Sequence, residues 1–141
     1  MAEITCKVVT PEKTSMETQA DFVAVTLYDG ELGIAPGHTP LIGRLGCGEL
    51  RIRRGGETER FYIDGGFVQV KGNTVSILTQ VALPAEEVSA EQAKADLDTA
   101  IRKPCTTAEL SAARDRALTQ ARARLHVARR TRGGGTRHSG H

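Results

Sequence analysis

Through its first 83 residues the chain returns repeatedly to short β-rich runs closed by glycine, and after Pro84 that rhythm stops. Ile4, Val8 and Val9 lie in a run ended by Pro11, and Phe22–Tyr28 stops at Asp29-Gly30. Gly48–Arg54 alternates polar and apolar until Gly55-Gly56, and Phe61–Ile63 ends at Asp64-Gly65-Gly66. Phe67–Lys71 alternates again up to Gly72-Asn73, and Thr74–Thr79 follows. Runs spaced about 8–12 residues apart with glycine turns between them predict an antiparallel sandwich or barrel. Alternation gives each strand one wet face and one buried face.

Beyond Pro84 the period lengthens. Ser89, with Gln92 three residues on, fits a capping box. Ala90, Ala93, Leu97 and Ile101 then recur at helical spacing, and Lys103-Pro104 ends the stripe. Thr106 and Glu109 fit a second capping box, and Leu110, Ala117, Leu118, Ala121, Leu125 and Ala128 carry a second stripe to about Arg130. Two helices joined by a short break make an αα-hairpin. Its stripes are mostly alanine, and at about 0.8 kcal/mol per buried methylene they hold far less than leucine would. A hairpin packed so weakly is one that can move. The last stretch, Thr131 to His141, is glycine and charge without an apolar anchor, which reads as disorder. The fold class is therefore α+β: an N-terminal antiparallel β-sandwich head over residues 1–84, followed by a C-terminal αα-hairpin over 85–130 and a disordered tail over 131–141.

Charge separates the two parts further. Residues 1–88 hold eight Lys/Arg and twelve Asp/Glu, a balance of −4, while residues 89–141 hold eleven and five, a balance of +6. The basic part calls for an acidic partner. The three cysteines, Cys6, Cys47 and Cys105, are far apart and form no CxxC, which argues against a zinc site or a disulfide framework and for reduced thiols. His138 and His141 lack a fixed third ligand, so they read as part of a solvated tail and no metal is expected. No cofactor is expected either. With no Trp, three Phe and two Tyr, a stacking platform for nucleic acid is also not expected. No run reaches the about 18 apolar residues of a membrane span, and the N-terminus lacks the apolar core of a signal peptide. The expectation is a cytosolic protein whose association with a membrane runs through partners, without direct insertion.

The most distinctive segment is Gly30–Leu41, GELGIAPGHTPL. It reads as a stiff, kinked loop: Gly30, Gly33 and Gly37 permit positive φ, while Pro36 and Pro40 fix φ and remove donors. A phosphate cradle would need a following GK[ST] motif and helix, which is absent. His38 has no carboxylate, Ser or Cys in a catalytic context beside it, so no catalytic residue is assigned.

Gly30–Leu45, followed by Gly48-Glu-Leu-Arg-Ile52, resembles the head signature of the epsilon subunit of F-type ATP synthases. Phe61–Val70 and Asn73–Thr79 resemble its second signature, and an alanine-rich hairpin ending Ala123-Arg-Leu-His-Val-Ala128 follows in the same order. The likeness spans residues 3 to about 130. It implies a non-catalytic central-stalk subunit that couples the catalytic head to the membrane rotor during proton-driven ATP synthesis. It implies a ten-stranded sandwich that packs on the gamma subunit. The loop carrying Glu31, Gly33, Pro36, Gly37 and His38 would face the rotor ring of c subunits. The hairpin would fold against the head or extend along gamma, and when extended would inhibit ATP hydrolysis at the acidic foot of the catalytic beta subunits, beside alpha. The location implied is the cytoplasmic face of the bacterial inner membrane, peripheral.

Residues 107–132 carry seven arginines, Arg114, Arg116, Arg122, Arg124, Arg129, Arg130 and Arg132, against Glu109 and Asp115. Like charges on one helix repel unless something offsets them. Arg114, Arg116, Arg122 and Arg124 are the residues assigned to the beta contact. One departure matters. Some bacterial members bind ATP through a motif of an apolar residue, Asp, two variable positions, Arg and Ala. Here that run is Val88–Ala93, with Ser89 for the Asp and Gln92 for the Arg, and Gln120 stands where a second-helix arginine is often found. Without those arginines little offsets triphosphate charge, so no nucleotide site is expected. Two other readings stay open. A nucleic-acid adaptor would use the basic tail but has no recognised motif there. A ligand-binding sandwich would need convergent polar groups that the sequence does not cluster.

Overall fold

A computed structural model of the chain describes residues 3–11 and 15–139, side chains excepted at Ser15 and at 131–139. The chain divides into two compact units, Met1–Pro84 and Ala85–His141.

The first unit contains nine strands among the described residues: β1 Ile4–Val9, β2 Ser15–Ala20, β3 Phe22–Leu27, β4 Gly30–Ile34, β5 Leu41–Arg54, β6 Glu57–Asp64, β7 Phe67–Lys71, β8 Thr74–Leu78 and β9 Ala82–Pro84. The long β5 belongs to two sheets. Its first part, Leu41–Arg44, pairs with β7, while Leu45 onward pairs with β3 and Cys47–Arg54 with β6. One layer is β2-β1-β8-β7-β5 and the other β4-β3-β5-β6-β9, five segments in each. Counting β5 once in each layer reconciles these nine strands with the ten implied by family resemblance.

Among the described strands pairing is antiparallel with one exception. β1 runs parallel to β8, from Thr5↔Thr74 to Val9↔Leu78, within a sandwich that is otherwise antiparallel as expected. Parallel neighbours need a long connection, and here nearly the whole unit lies between the two strands. Three strands escape a reading by pattern: β2, β4 and β9. The polar SMETQA of β2 and the glycine-rich GELGI of β4 have weak β-propensity and lie at sheet edges, where pairing to a neighbour decides the conformation.

Inward residues of both layers meet in one core: Ile4, Cys6 and Val8 from β1, Val68 and Val70 from β7, Val75 and Ile77 from β8, and Val23, Val25, Leu50, Ile52 and Ile63 from the other sheet. Full burial of each large aliphatic side chain is worth about 1.5–3 kcal/mol. The turn into β7 depends on Gly66, whose φ of +106° disfavours any side chain and whose missing Cβ leaves room for the carbonyl oxygen of Leu78.

The second unit has a 3-10 turn at Ala85–Glu87 and two helices, α1 Ala90–Ile101 and α2 Ala108–Ser139. Ser89 caps α1, its hydroxyl accepting from the Gln92 amide at 3.1 Å. Gln92 does not close the box; its side-chain amide donates to Asp96 at 2.9 Å. The α2 cap is Thr107 rather than Thr106: its hydroxyl accepts from the Leu110 amide at 3.1 Å, which fits a helix starting at Ala108. Ala93 and Ala100 are buried on α1, and Leu118, Ala121, Leu125, Val127 and Ala128 on α2, while Ile101 and Leu110 are exposed. The helical backbone of α2 continues past Arg130 to Ser139, beyond the point where the apolar stripe stops. Once a helix is nucleated, each further residue adds a hydrogen bond, so it can outrun its stripe. His138 and Arg132 lie where no side chain is described, and His141 lies outside the described residues.

Candidate functional site: a turn on the head and the arginines of the hairpin

The Gly30–Leu41 segment is not a loop throughout. Glu31 and Gly33 lie on β4, and only Ala35 to Pro40 connects β4 to β5. The His38 amide donates to the Ala35 carbonyl at 3.2 Å, with Pro36 and Gly37 between them. Gly37 has φ +84°. Proline second and a positive-φ glycine third define a type II turn. The Gly37 amide donates to Asn73 Oδ1 at 3.2 Å, which ties this turn to the β7–β8 turn. His38 Nδ1 sits 2.7 Å from the Thr39 carbonyl oxygen, so the ring is held against its own backbone. Gly33, by contrast, is in an extended strand without positive φ, which corrects the reading of it as a turn residue. Its role is packing: a Cβ there would lie 2.8 Å from Phe22 Cζ. Arg53 lies over the same ring, at 5.1 Å from the centroid.

Glu31 is held by a residue that pattern alone does not single out. Arg51 Nη2 lies 3.1 Å from Glu31 Oε1, and Arg51 Nη1 lies 2.9 Å from Glu49 Oε1. Glu49 is buried and Glu31 largely exposed. Burial pulls the guanidinium pKa down, but the hydrogen bonds from Arg51 to Glu49 and Glu31 outweigh it, and the net direction is up. Arg51 thus fixes an exposed carboxylate near the start of β4, at the other end of that strand from the turn. Arg51 and Asn73 are separated in sequence from the residues they hold, so only folding brings them there.

The head also presents an apolar row on the outer face of one sheet. Val9, Leu78 and Phe67 are in register across β1, β8 and β7, at 41%, 47% and 55% exposure. Arg44, opposite Phe67 on β5, lies 5.0 Å over the ring of Tyr28, and both Tyr28 and Ile42 are 72% exposed. Neighbouring exposed apolar side chains on one sheet make this a candidate interaction face.

In the helical unit the four arginines assigned to a partner separate into two kinds. Arg116 and Arg122 are exposed, as is Arg129. Arg124 Nη2 pairs with Asp96 Oδ2 on α1 at 3.1 Å, and Arg114 Nη2 approaches the Ile101 carbonyl at the end of α1 at 3.4 Å. A cleft of about 290 Å³ beside this pair is lined by Asp96, Lys103, Gln120 and Arg124 among others. Of the three residues that depart from the nucleotide motif, Ser89 caps α1, Gln92 holds Asp96 and Gln120 lines the cleft.

The chain matches the family described as ATP synthase, Delta/Epsilon chain, beta-sandwich domain, over residues 3–85. It is 42% identical over 126 residues to the ATP synthase epsilon chain of Rhodopirellula baltica, covering 89% of this chain and 98% of that one. The chain belongs to the ATP synthase epsilon-chain family. The epsilon chain of Desulfitobacterium hafniense is 36% identical over 126 residues, covering 89% and 96%. A chain of the mitochondrial ATP synthase of Euglena gracilis, in an OSCP/F1/c-ring structure, shares the fold with a TM-score of 0.80 at 23% identity, covering 87% of this chain and 79% of that one. This epsilon-family chain therefore pairs a sandwich head with a two-helix unit, and among its described residues no helix is long and apolar enough to cross a membrane.

Proposed function

We propose that this epsilon-family chain is a non-catalytic central-stalk subunit of a bacterial F-type ATP synthase, with a coupling head and an inhibitory hairpin. The observation that carries the reading is the set of exposed arginines on α2, Arg116, Arg122 and Arg129, on a hairpin whose first helix buries alanines. The head couples: the apolar row around Phe67 docks on gamma, and the segment from Glu31 to the turn at Pro36–His38 meets the polar loops of the c-subunit ring. The hairpin regulates: extended along gamma, it offers its arginines to acidic residues of beta and slows hydrolysis. The complex holds the subunit peripherally at the cytoplasmic face of the inner membrane. Nucleotide is not part of this mechanism, because Ser89, Gln92 and Gln120 replace the residues that would meet its charge.

The test is ATP hydrolysis by the assembled enzyme at low proton-motive force. Deleting residues 89–141, or changing Arg114, Arg116, Arg122 and Arg124 together to Ala, should raise hydrolysis and leave synthesis largely intact. If neither changes the rate, the hairpin is not an inhibitor and serves only to position the chain along gamma.

A further inference from the structure

We propose that Asp96 and Arg124, supported by Gln92 and Arg114, form a latch that keeps the hairpin closed and withholds two arginines from any acidic partner. Arg124 reaches Asp96 across the helix pair at 3.1 Å. Gln92, one turn before Asp96 on the same helix, donates to its other carboxylate oxygen at 2.9 Å and so fixes the rotamer that Arg124 meets. Arg114 approaches the Ile101 carbonyl at 3.4 Å, where the C-terminal end of α1 carries partial negative charge. The two contacts lie one near the middle of α1 and one at its end, so together they fix register as well as contact.

The apolar anchoring that α1 supplies is slight. The fully buried positions of α1 are Ala93 and Ala100, and the cleft beside the pair is open between the helices. Arg124 and Asp96 are each about one-third exposed, at 34% and 37%, so the pair is partly screened and its strength suits a contact that opens. Opening frees Arg114 and Arg124, whereas Arg116 and Arg122 are presented in either state. The consequence for hydrolysis rests on the inhibitory reading above; the latch itself is a property of the isolated chain.

The experiment is amide hydrogen exchange on the full-length chain. Asp96→Ala should speed exchange of α1 and the facing part of α2 by about two- to fivefold while head amides are unchanged. Helix propensity alone predicts the opposite sign, since Ala is a better helix former than Asp. Arg122→Ala should leave exchange unchanged, and the charge swap Asp96→Arg with Arg124→Asp should restore most of the protection. Unchanged or slower exchange in Asp96→Ala overturns the latch. In the assembled enzyme Asp96→Ala should lower hydrolysis by a similar factor. Faster exchange with unaltered hydrolysis supports the latch and refutes the inhibitory reading instead.

Discussion

Gly37→Val tests whether the turn between β4 and β5 is a fixed presenting element. Space is not the obstacle, since nothing lies within 4 Å of where a Cβ would sit. The obstacle is φ of +84°, which costs an ordinary residue about 1–2 kcal/mol and a β-branched one more. The chain has an escape. Pro36 suits the second position of type I and type II turns equally, so the peptide between Pro36 and residue 37 can flip and convert one to the other. The flip turns the residue-37 amide away from Asn73 Oδ1 and gives up that 3.2 Å hydrogen bond, worth about 0.5–1.5 kcal/mol. Gly37→Val should therefore destabilise the chain by only about 1–2 kcal/mol in urea unfolding, small against a typical stability of about 5–15 kcal/mol. Asn73→Ala should cost about 0.5–1.5 kcal/mol alone and almost nothing in the Gly37→Val background, because the bond is already gone. ATP-driven proton pumping by the assembled enzyme should fall in Gly37→Val out of proportion to this small loss. Additive effects in the double-mutant cycle would refute the flip, and full coupling would refute the role of the turn in meeting the rotor ring.

Gly66→Ala should be far more damaging, by about 3 kcal/mol or more, because the added Cβ meets the Leu78 carbonyl and the backbone cannot give way without breaking the β7–β8 pair; urea unfolding would show it. Thr107→Ala should cost about 1 kcal/mol of hairpin stability while Thr106→Ala costs almost none, measured by exchange of the first α2 amides, since only Thr107 caps the helix. Cys6 is completely buried and its thiol pKa is pushed up from 9.0 to about 12, so it stays neutral in the fold while the unfolded chain ionises. Its folded pKa lies above the unfolded one, so its contribution is intact below pH 9 and shrinks as pH rises from 9 toward 12, by about 1.4 kcal/mol per pH unit; Cys6→Ala should remove that slope. A thiol reagent at neutral pH should react first with exposed Cys105, later with half-buried Cys47, whose sulfur donates to Asp64 at 2.9 Å, and with Cys6 only on unfolding.

What the sequence by itself determined is whatever repeats locally. Alternation in Phe67–Lys71 and Thr74–Leu78, glycines at turns, and the change of period after Pro84 announce a β head and two helices, because side-chain periodicity is a property of each element alone. The Gly30–Leu45 signature likewise carries the family resemblance by itself. Only the tertiary structure decided the rest. The polar edge strand β2 exists because β1 pairs with it, and β1 runs parallel to β8 because the head closes that way. Gly33 is small because Phe22 packs over it, not because of its own backbone. Among the arginines, the sequence gives seven equal charges; the structure separates Arg124, which meets Asp96 across the hairpin, from exposed Arg116 and Arg122. Contacts between residues 28 positions apart, as in that pair, leave no periodic trace in the sequence, since what places them is the packing of one element on another.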